Sequence, residues 1–346
     1  VLDRQLEAVH GDPLFDVARL VPRTPQTQTV ALDVLGKRVF GKVASRRAGS
    51  LRRPVLLAVP NVSEGRDPAV IAAVGEAYAS GGARVLDTHD DPDHHRAVHT
   101  LAAAPGMLAG ALLAGAREAI DRIDLRAERG IHPHVGALDV APVVFLDEAR
   151  RGAAIAEALT LAERLGDEAG LPVFLYGLLA GGRTRAELRR GGIAALTQRM
   201  ADGVLAPDFG PSTPHPSAGA VLVAARPPLI AFNLELAAPA TLEDAKRVAA
   251  AIREGGADGL PGVRALGLHL ARQGGIVQVS TNVEDHRAVS LAELLQAVQR
   301  HAPVSACELV GLAPAPALDG FPDDVPVRGR RTIEEALGSG TQELSS

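Results

Sequence analysis

Two periods organise the apolar positions, two residues in some stretches and close to four in others, and they alternate in a fixed order. VLLAVPNV, from Val55, reads as a strand. DPAVIAAVGEAYAS follows as a helix, with Asp67 at the N-cap, Pro68 at the first helical position and Gly81-Gly82 as the stop. ARVLDTHD and RAVHTLAA are two strands joined by the polar turn DPDHH. PGMLAGALLAGAREAIDRI is a helix opened by Pro105, and GALDVAPVVFL is a strand.

The second half repeats that order. PLIAFNLEL is a strand, TLEDAKRVAAAIREGG a helix capped by Thr241, and VRALGLHLA and IVQVSTNV are strands. SLAELLQAVQRHA is a helix capped by Ser290, and PVSACELVGL is a strand. Both halves spell β-α-β-β-α-β, so the expected class is α/β (α+β) with two ferredoxin-like subdomains. Each unit covers one sheet face with helices and leaves the other bare. Two such units bury their bare faces against each other, with a groove between them. Residues 148–218 hold a long helix, the strand LPVFLYG and a Gly/Pro loop, and they read as the connection. The boundaries fall at 54–226 and 227–320, with a basic, partly disordered extension over 1–53 and a Pro/Gly/Ser-rich tail over 321–346.

Composition narrows the function classes. A chain of 346 residues suits two lobes, and 47% hydrophobic with 22% charged residues is ordinary for a folded protein. The chain has no Trp and a net charge of −5, which speaks against nucleic acid as a partner. Cys307 is the single cysteine, so neither a disulfide framework nor a thiolate zinc cage is available, and a strand position suits a buried, inert thiol. The longest apolar stretch, LAAAPGMLAGALLAGA, is too short and too rich in glycine for a membrane span. No secretory signal is present, and a cytoplasmic location is expected.

Candidate chemistry gathers on the eleven histidines and their neighbours. In ERGIHPHVGALDV, Pro133 fixes the backbone between His132 and His134. Alternate residues of an extended chain share a face, so both rings can enter one cleft, or they simply end a strand. DTHDDPDHHRAVHT has ligand-type residues without ligand-type spacing. It is either a metal site, a hydrogen-bonded polar pocket or a charged turn. Arg96 stands where such a pocket needs a fork for a carboxylate. PDFGPSTPHPSAGA is a loop of largely preset shape, suited equally to a flat ligand and to an ordinary connection. The turn in VPNVSEGRD offers N–H groups at a helix start, where an anion can sit.

Together VPNVSEGR, the D…DHHR.V.T segment, HP.VGALDV, PDFGP…HPSAGA, LIAFNLEL, QVSTN and ELVGLAPAPAL resemble the glutamate formimidoyltransferase family, from about Pro54 to Leu318. The order and spacing of the motifs carry the resemblance. Residues 1–53 fall outside it, and the expectation is a formiminotransferase part without a cyclodeaminase domain. The resemblance implies transfer of a formimino group from N-formimino-L-glutamate to N5 of tetrahydrofolate in histidine breakdown, by two α/β subdomains around a folate tunnel. The family's catalytic histidine falls on His132. Its folate-binding loop falls on Gly210, Pro211, Ser212, Thr213, Pro214, His215, Pro216, Ser217, Ala218 and Gly219.

An imidazole near neutral pH can take the N5 proton and return one to the departing nitrogen. Asp87 and Asp139 are candidates to orient that ring or balance the cationic formimino group, and Arg96 and Arg226 to hold carboxylates. His134 stands where the family usually has arginine, His95 at a usual asparagine, and His99 at an aromatic position. His134 is therefore assigned to substrate binding. The expectation is a metal-free, homodimeric enzyme with tetrahydrofolate as co-substrate. A folate-binding relative with another donor or no transferase activity, or a metal-dependent hydrolase built on the histidine cluster, are the alternatives.

Overall fold

The computed structural model describes residues 55–127 and 133–338. It is a mixed α/β structure with two sheets. The first sheet begins with a strand that Pro60 breaks in two, β1 (Leu56–Ala58) and β2 (Asn61–Val62). Then come α1 (Pro68–Ser80), β3 (Arg84–Asp91), β4 (Arg96–Ala103), α2 (Leu108–Arg122) and β5 (Leu138–Val144). β4 lies antiparallel to β3 on one side and to β1 and β2 on the other, and β5 pairs antiparallel with β1 and β2.

Local chemistry explains most of the boundaries. The Asp67 carboxylate accepts from the N–H groups of Ala69 and Val70, at 2.8 and 3.3 Å, and α1 starts there. α2 starts at Leu108, three residues later than the Pro105 opening expected from the sequence. The reason is tertiary: the Glu157 carboxylate, from the next helix, accepts from Gly106 N–H and Ala109 N–H at 2.6 Å each. A side chain 48 residues away thus supplies the cap that Met107 lacks.

The segment expected to be a connection enlarges the first sheet instead. α3 (Arg151–Ala169), β6 (Val173–Leu175), α4 (Arg185–Arg189), α5 (Gly192–Ala201) and β7 (Val221–Arg226) follow β5. β7 pairs in parallel with both β5 and β6, which brings the sheet to seven strands. The helices α1, α2 and α3 cover one face, over a core that includes Leu56, Leu101, Leu112, Leu138 and Leu161. On the other face, α4 and α5 cover β6 and β7 through Leu188, Leu196 and Met200.

The second sheet holds β8 (Ile230–Leu236), β9 (Val263–Leu270), β10 (Ile276–Val283) and β11 (Val304–Val310), with α6 (Leu242–Ile252) and α7 (Leu291–Gln299) between them. Its order is β11-β8-β10-β9, antiparallel throughout. Both helices open with a capping box, Thr241 with Asp244 and Ser290 with Glu293. Phe232, Leu234, Val279 and Leu309 point into the helix-covered core, and their strand neighbours Ala231, Asn233, Ser280 and Val310 point the other way. Cys307 is fully buried in that core, and burial pushes its thiol up to about 12. The stretch after Gly320, which reads as a tail, forms β12 (Val327–Arg328), parallel to β11, and α8 (Ile333–Gly338). Among the described residues no helix is long and apolar enough to cross a membrane.

Candidate functional site

A cavity of about 260 Å³ lies between the two sheets. Its lining follows from strand alternation, with Asn61, Val98, Thr100 and Val140 from the first sheet and Asn233, Leu268, Ser280 and Asn282 from the second. Four arginines, Arg96, Arg185, Arg189 and Arg226, enter it from β4, α4 and β7.

Among the described residues, Asp139 is the carboxylate nearest to two of those guanidiniums. Asp139, buried at 2% exposure, accepts from Arg189 and from Val135 N–H at 2.8 Å, and lies 3.9 Å from Arg96. Arg96 also donates to Asn61. Arg185 stacks over the Tyr176 ring at 6.0 Å, and Arg226 donates to the Pro227 carbonyl at 3.1 Å. Burial, and after it the charge of Arg189, pull Arg96 down to about 9; burial pulls Arg226 down to about 10 and lowers Arg185 as well. Such a wall favours an anion, whose charge offsets both the burial and the mutual repulsion.

The histidine-rich hairpin lines the same cavity through His89, Asp91 and His94. Among the described residues, no three of histidine, cysteine, aspartate and glutamate are grouped so as to hold a metal ion. His94 Nδ1 meets Asp91 Oδ2 at 2.7 Å. His95 takes a left-handed backbone, φ 51°, which asparagine also tolerates, and its Nδ1 accepts from Gly65 N–H at 3.0 Å. The N–H groups of VPNVSEGRD do not await an anion. Glu64 takes those of Arg66 and Asp67, and His95 takes that of Gly65. His99 points away from the cavity into the core beside Tyr78.

Of the residues singled out in the sequence, Arg96 and Arg226 line the inter-sheet cavity, as does Pro133, while His132 lies outside the described residues. Asp139 sits beneath the arginines, and His134 is half-buried. Asp87 faces away, 4.0 Å from Arg331, and burial raises its carboxyl. The Gly210–Gly219 loop is tied to the start of β5: Ala137 N–H donates to Ala218 at 2.9 Å and Ala220 N–H to Val135 at 2.8 Å. His215 Nδ1 accepts from Ala218 N–H at 3.1 Å and closes the loop. Ser212 to Pro216 line a second cavity, of about 350 Å³, with Ile193 and Met200 of α5. Gly192, next to Ile193, approaches the His134 carbonyl, so this cavity lies close to the Pro133–His134 chain.

Sequence reasoning missed Arg185 and Arg189. Both belong to α4, inside the supposed connection, and the available signal was the capping box Thr184/Glu187 in TRAELRR, which marks a helix start.

Residues 55–226 match the formiminotransferase domain, N-terminal subdomain, and residues 231–320 match the formiminotransferase domain. A glutamate formimidoyltransferase of Thermoplasma acidophilum is 35% identical over 272 residues, covering 75% of this chain and 88% of the relative. One from Streptococcus pyogenes serotype M1 is 33% identical over 269 residues, covering 75% and 89%. The formimidoyltransferase-cyclodeaminase of Sus scrofa is 37% identical over 274 residues, and there the match spans 75% of this chain and only 50% of the relative. Two subdomain matches that meet at the two sheets, and relatives matched over most of their length, place the chain in the formiminotransferase family.

Proposed function

We propose that this chain is a glutamate formimidoyltransferase, moving the formimino group of N-formimino-L-glutamate to N5 of tetrahydrofolate. The observation that carries the reading is the arginine-walled cavity between the two sheets, because donor and folate tail both end in carboxylates. In this reading each antiparallel four-strand order is a ferredoxin-like unit, the subdomains run over 54–226 and 227–320, and the space between them is the folate groove. Arg96 and Arg226 hold carboxylates, with Asp139 keeping the first in register. Folate extends toward the Gly210–Gly219 loop and its cavity. His134 contacts substrate, and Asp87 supports the site only from a distance. The same reading makes the protein a cytoplasmic homodimer that works without a metal.

His132 is the general acid/base of this proposal. It takes the N5 proton as the new C–N bond forms and returns a proton to the glutamate nitrogen as the old bond breaks. His132→Ala should lower kcat by roughly 10²–10⁴-fold while folate binding, read by fluorescence titration, changes little. Unchanged turnover with formiminoglutamate and tetrahydrofolate would remove His132 from the chemistry. No turnover by the wild-type protein would remove the donor.

A further inference from the structure

One row of side chains crosses all five strands of the second sheet. Strand register sets Arg328 of β12 beside Glu308 of β11, and Glu308 beside Asn233 of β8. Asn233 in turn stands beside Ser280 of β10, and Ser280 beside Leu266 of β9. Paired residues on neighbouring strands share a face and stand about 5 Å apart, so each can touch the next. The row starts at an exposed arginine on the sheet edge and ends in the inter-sheet cavity, which Asn233, Ser280 and Leu266 all line.

The polar members of the row are joined as well as aligned. Glu308 uses its two oxygens separately: Oε1 lies 3.5 Å from Arg328 Nη2, and Oε2 accepts from Asn233 Nδ2 at 2.9 Å. The same arginine nitrogen also meets the Glu235 carboxylate. A carboxylate only accepts, so the Asn233 amide turns its NH2 group to Glu308 and its oxygen the other way. Among the described residues the Asn233 side chain makes no other hydrogen bond. It is buried and lines the cavity, so Oδ1 is presented there as an acceptor of fixed orientation. The wall around it is neutral: Asn233, Ser280 and Asn282 are set among Ala231, Leu268 and Val310, opposite the arginines of the first lobe. Such a wall suits the flat, uncharged part of a ligand, with aliphatic contact for a ring face and a carbonyl oxygen for an N–H.

We propose that Asn233 Oδ1 accepts an N–H of the acceptor's pterin ring, and that Arg328 is the positioning residue that fixes this acceptor through Glu308. This rests on the transfer reading above and divides the cavity by chemistry. Carboxylates of both ligands go to the arginines, and the ring's amide-type N–H groups go to the opposite wall. Arg328 lies beyond residues 231–320, so the match to the formiminotransferase domain does not reach it. Without Arg328 the Glu235 and Glu308 carboxylates repel each other, and one of them takes up a proton. A protonated Glu308 can donate to Oδ1, and the amide then turns its NH2 group, which accepts nothing, toward the cavity.

Calorimetric titration of the full chain with tetrahydrofolate, and with p-aminobenzoylglutamate, which has the tail without the ring, compares the wild type with Asn233→Leu, Arg328→Met and Arg328→Lys. Asn233→Leu and Arg328→Met should each raise the Kd of tetrahydrofolate about tenfold and leave that of p-aminobenzoylglutamate within about twofold. Arg328→Lys keeps the charge and should bind tetrahydrofolate within about threefold of the wild type. Equal weakening of both ligands overturns the proposal, because the row would then only hold the lobe in shape. Unchanged tetrahydrofolate binding in Arg328→Met overturns it too. That variant lies on the exposed edge and tests the row even where Asn233→Leu does not fold. A loss in Arg328→Lys as large as in Arg328→Met overturns the part played by the charge. Wild-type protein that binds both ligands and responds to the variants as expected, but does not turn over formiminoglutamate, defeats the transfer reading and leaves the ring contact standing. Wild-type protein that binds no tetrahydrofolate overturns both.

Discussion

His99 is a histidine placed where its charge is least welcome. It is fully buried, its Nδ1 lies 3.1 Å from the Thr88 hydroxyl, its ring meets Tyr78 edge-on at 5.3 Å, and its Nε2 has no hydrogen-bond partner among the described residues. Burial lowers its pKa to about 4. Between about 6.5 and 4 the unfolded chain binds a proton that the folded chain refuses, so stability falls as pH drops through that window and levels off below it. The loss should reach about 2 kcal/mol by pH 5 and about 3 kcal/mol when complete. Phenylalanine keeps the ring against Tyr78 and cannot be protonated. His99→Phe should therefore narrow the gap in urea midpoint between pH 7.5 and pH 5. Equal gaps in the two proteins would mean that His99 does not govern the acid response. The same comparison separates this histidine from Asp91 and His94, only a few residues away, which line the cavity. A string of histidines in one hairpin announces polar chemistry. Which of them faces the core depends on strand phase and on Tyr78 arriving from α1, and neither is written into the hairpin.

Elements whose ends are set by neighbours in sequence were the legible ones. Asp67, Thr241 and Ser290 cap helices through atoms two or three residues away, and all three were readable beforehand. β10 likewise runs over the whole of IVQVSTNV. β7 was not legible: VLVAAR is buried on both faces in parallel pairing, so it lacks the alternation that marks a half-buried strand. The start of α2 waits on Glu157, so no local pattern points to it, and the capping box in TRAELRR marks the start of α4 without showing that α4 carries Arg185 and Arg189 to the cavity. The Gly210–Gly219 loop was recognised as a preset shape, and its closing glycine shows what presets it. Gly219 has φ +70°, and a Cβ there would stand 2.2 Å from the Val135 carbonyl. Gly203, with φ +68°, has nothing within 4 Å. Gly203→Ala should cost only the left-handed backbone, about 1 kcal/mol. Gly219→Ala adds a backbone collision and should cost about 3 kcal/mol or more in chemical denaturation. Equal losses would show that the loop yields freely where it meets β5, contrary to a rigid loop.

At the scale of the whole molecule, the last described segment ties the lobes together. β12 extends the second sheet by pairing with Cys307 and Glu308, and Arg328 binds both Glu235 and Glu308. A few residues later α8 lies on the first sheet, where Ile333 and Ala336 join Leu57, Leu86, Ala102 and Val144 in a small core of their own. Arg331 donates to the Leu86 carbonyl at 3.0 Å, and Arg84 to the Leu337 carbonyl at 3.1 Å. One short segment therefore holds the edge of one sheet and the face of the other, on the side from which the cavity is formed. Its sequence is rich in proline and glycine and reads as a tail, because its apolar residues are too few to signal a helix without the sheet that receives them. Ile333 is 3% exposed, and aspartate there would bury a charge without a partner. Ile333→Asp should cost about 3 kcal/mol or more if α8 stays docked, so the helix should instead detach. Detachment bares Leu57, Leu86 and Val144 and frees one lobe from the other. The expected result is a denaturation profile that splits into two steps, faster protease cleavage after Gly320, and a rise in KM larger than the fall in kcat, since the cavity walls come from both lobes. A single transition with the wild-type midpoint would show that α8 only rests on the first sheet and that the lobes are held together by the rest of their interface.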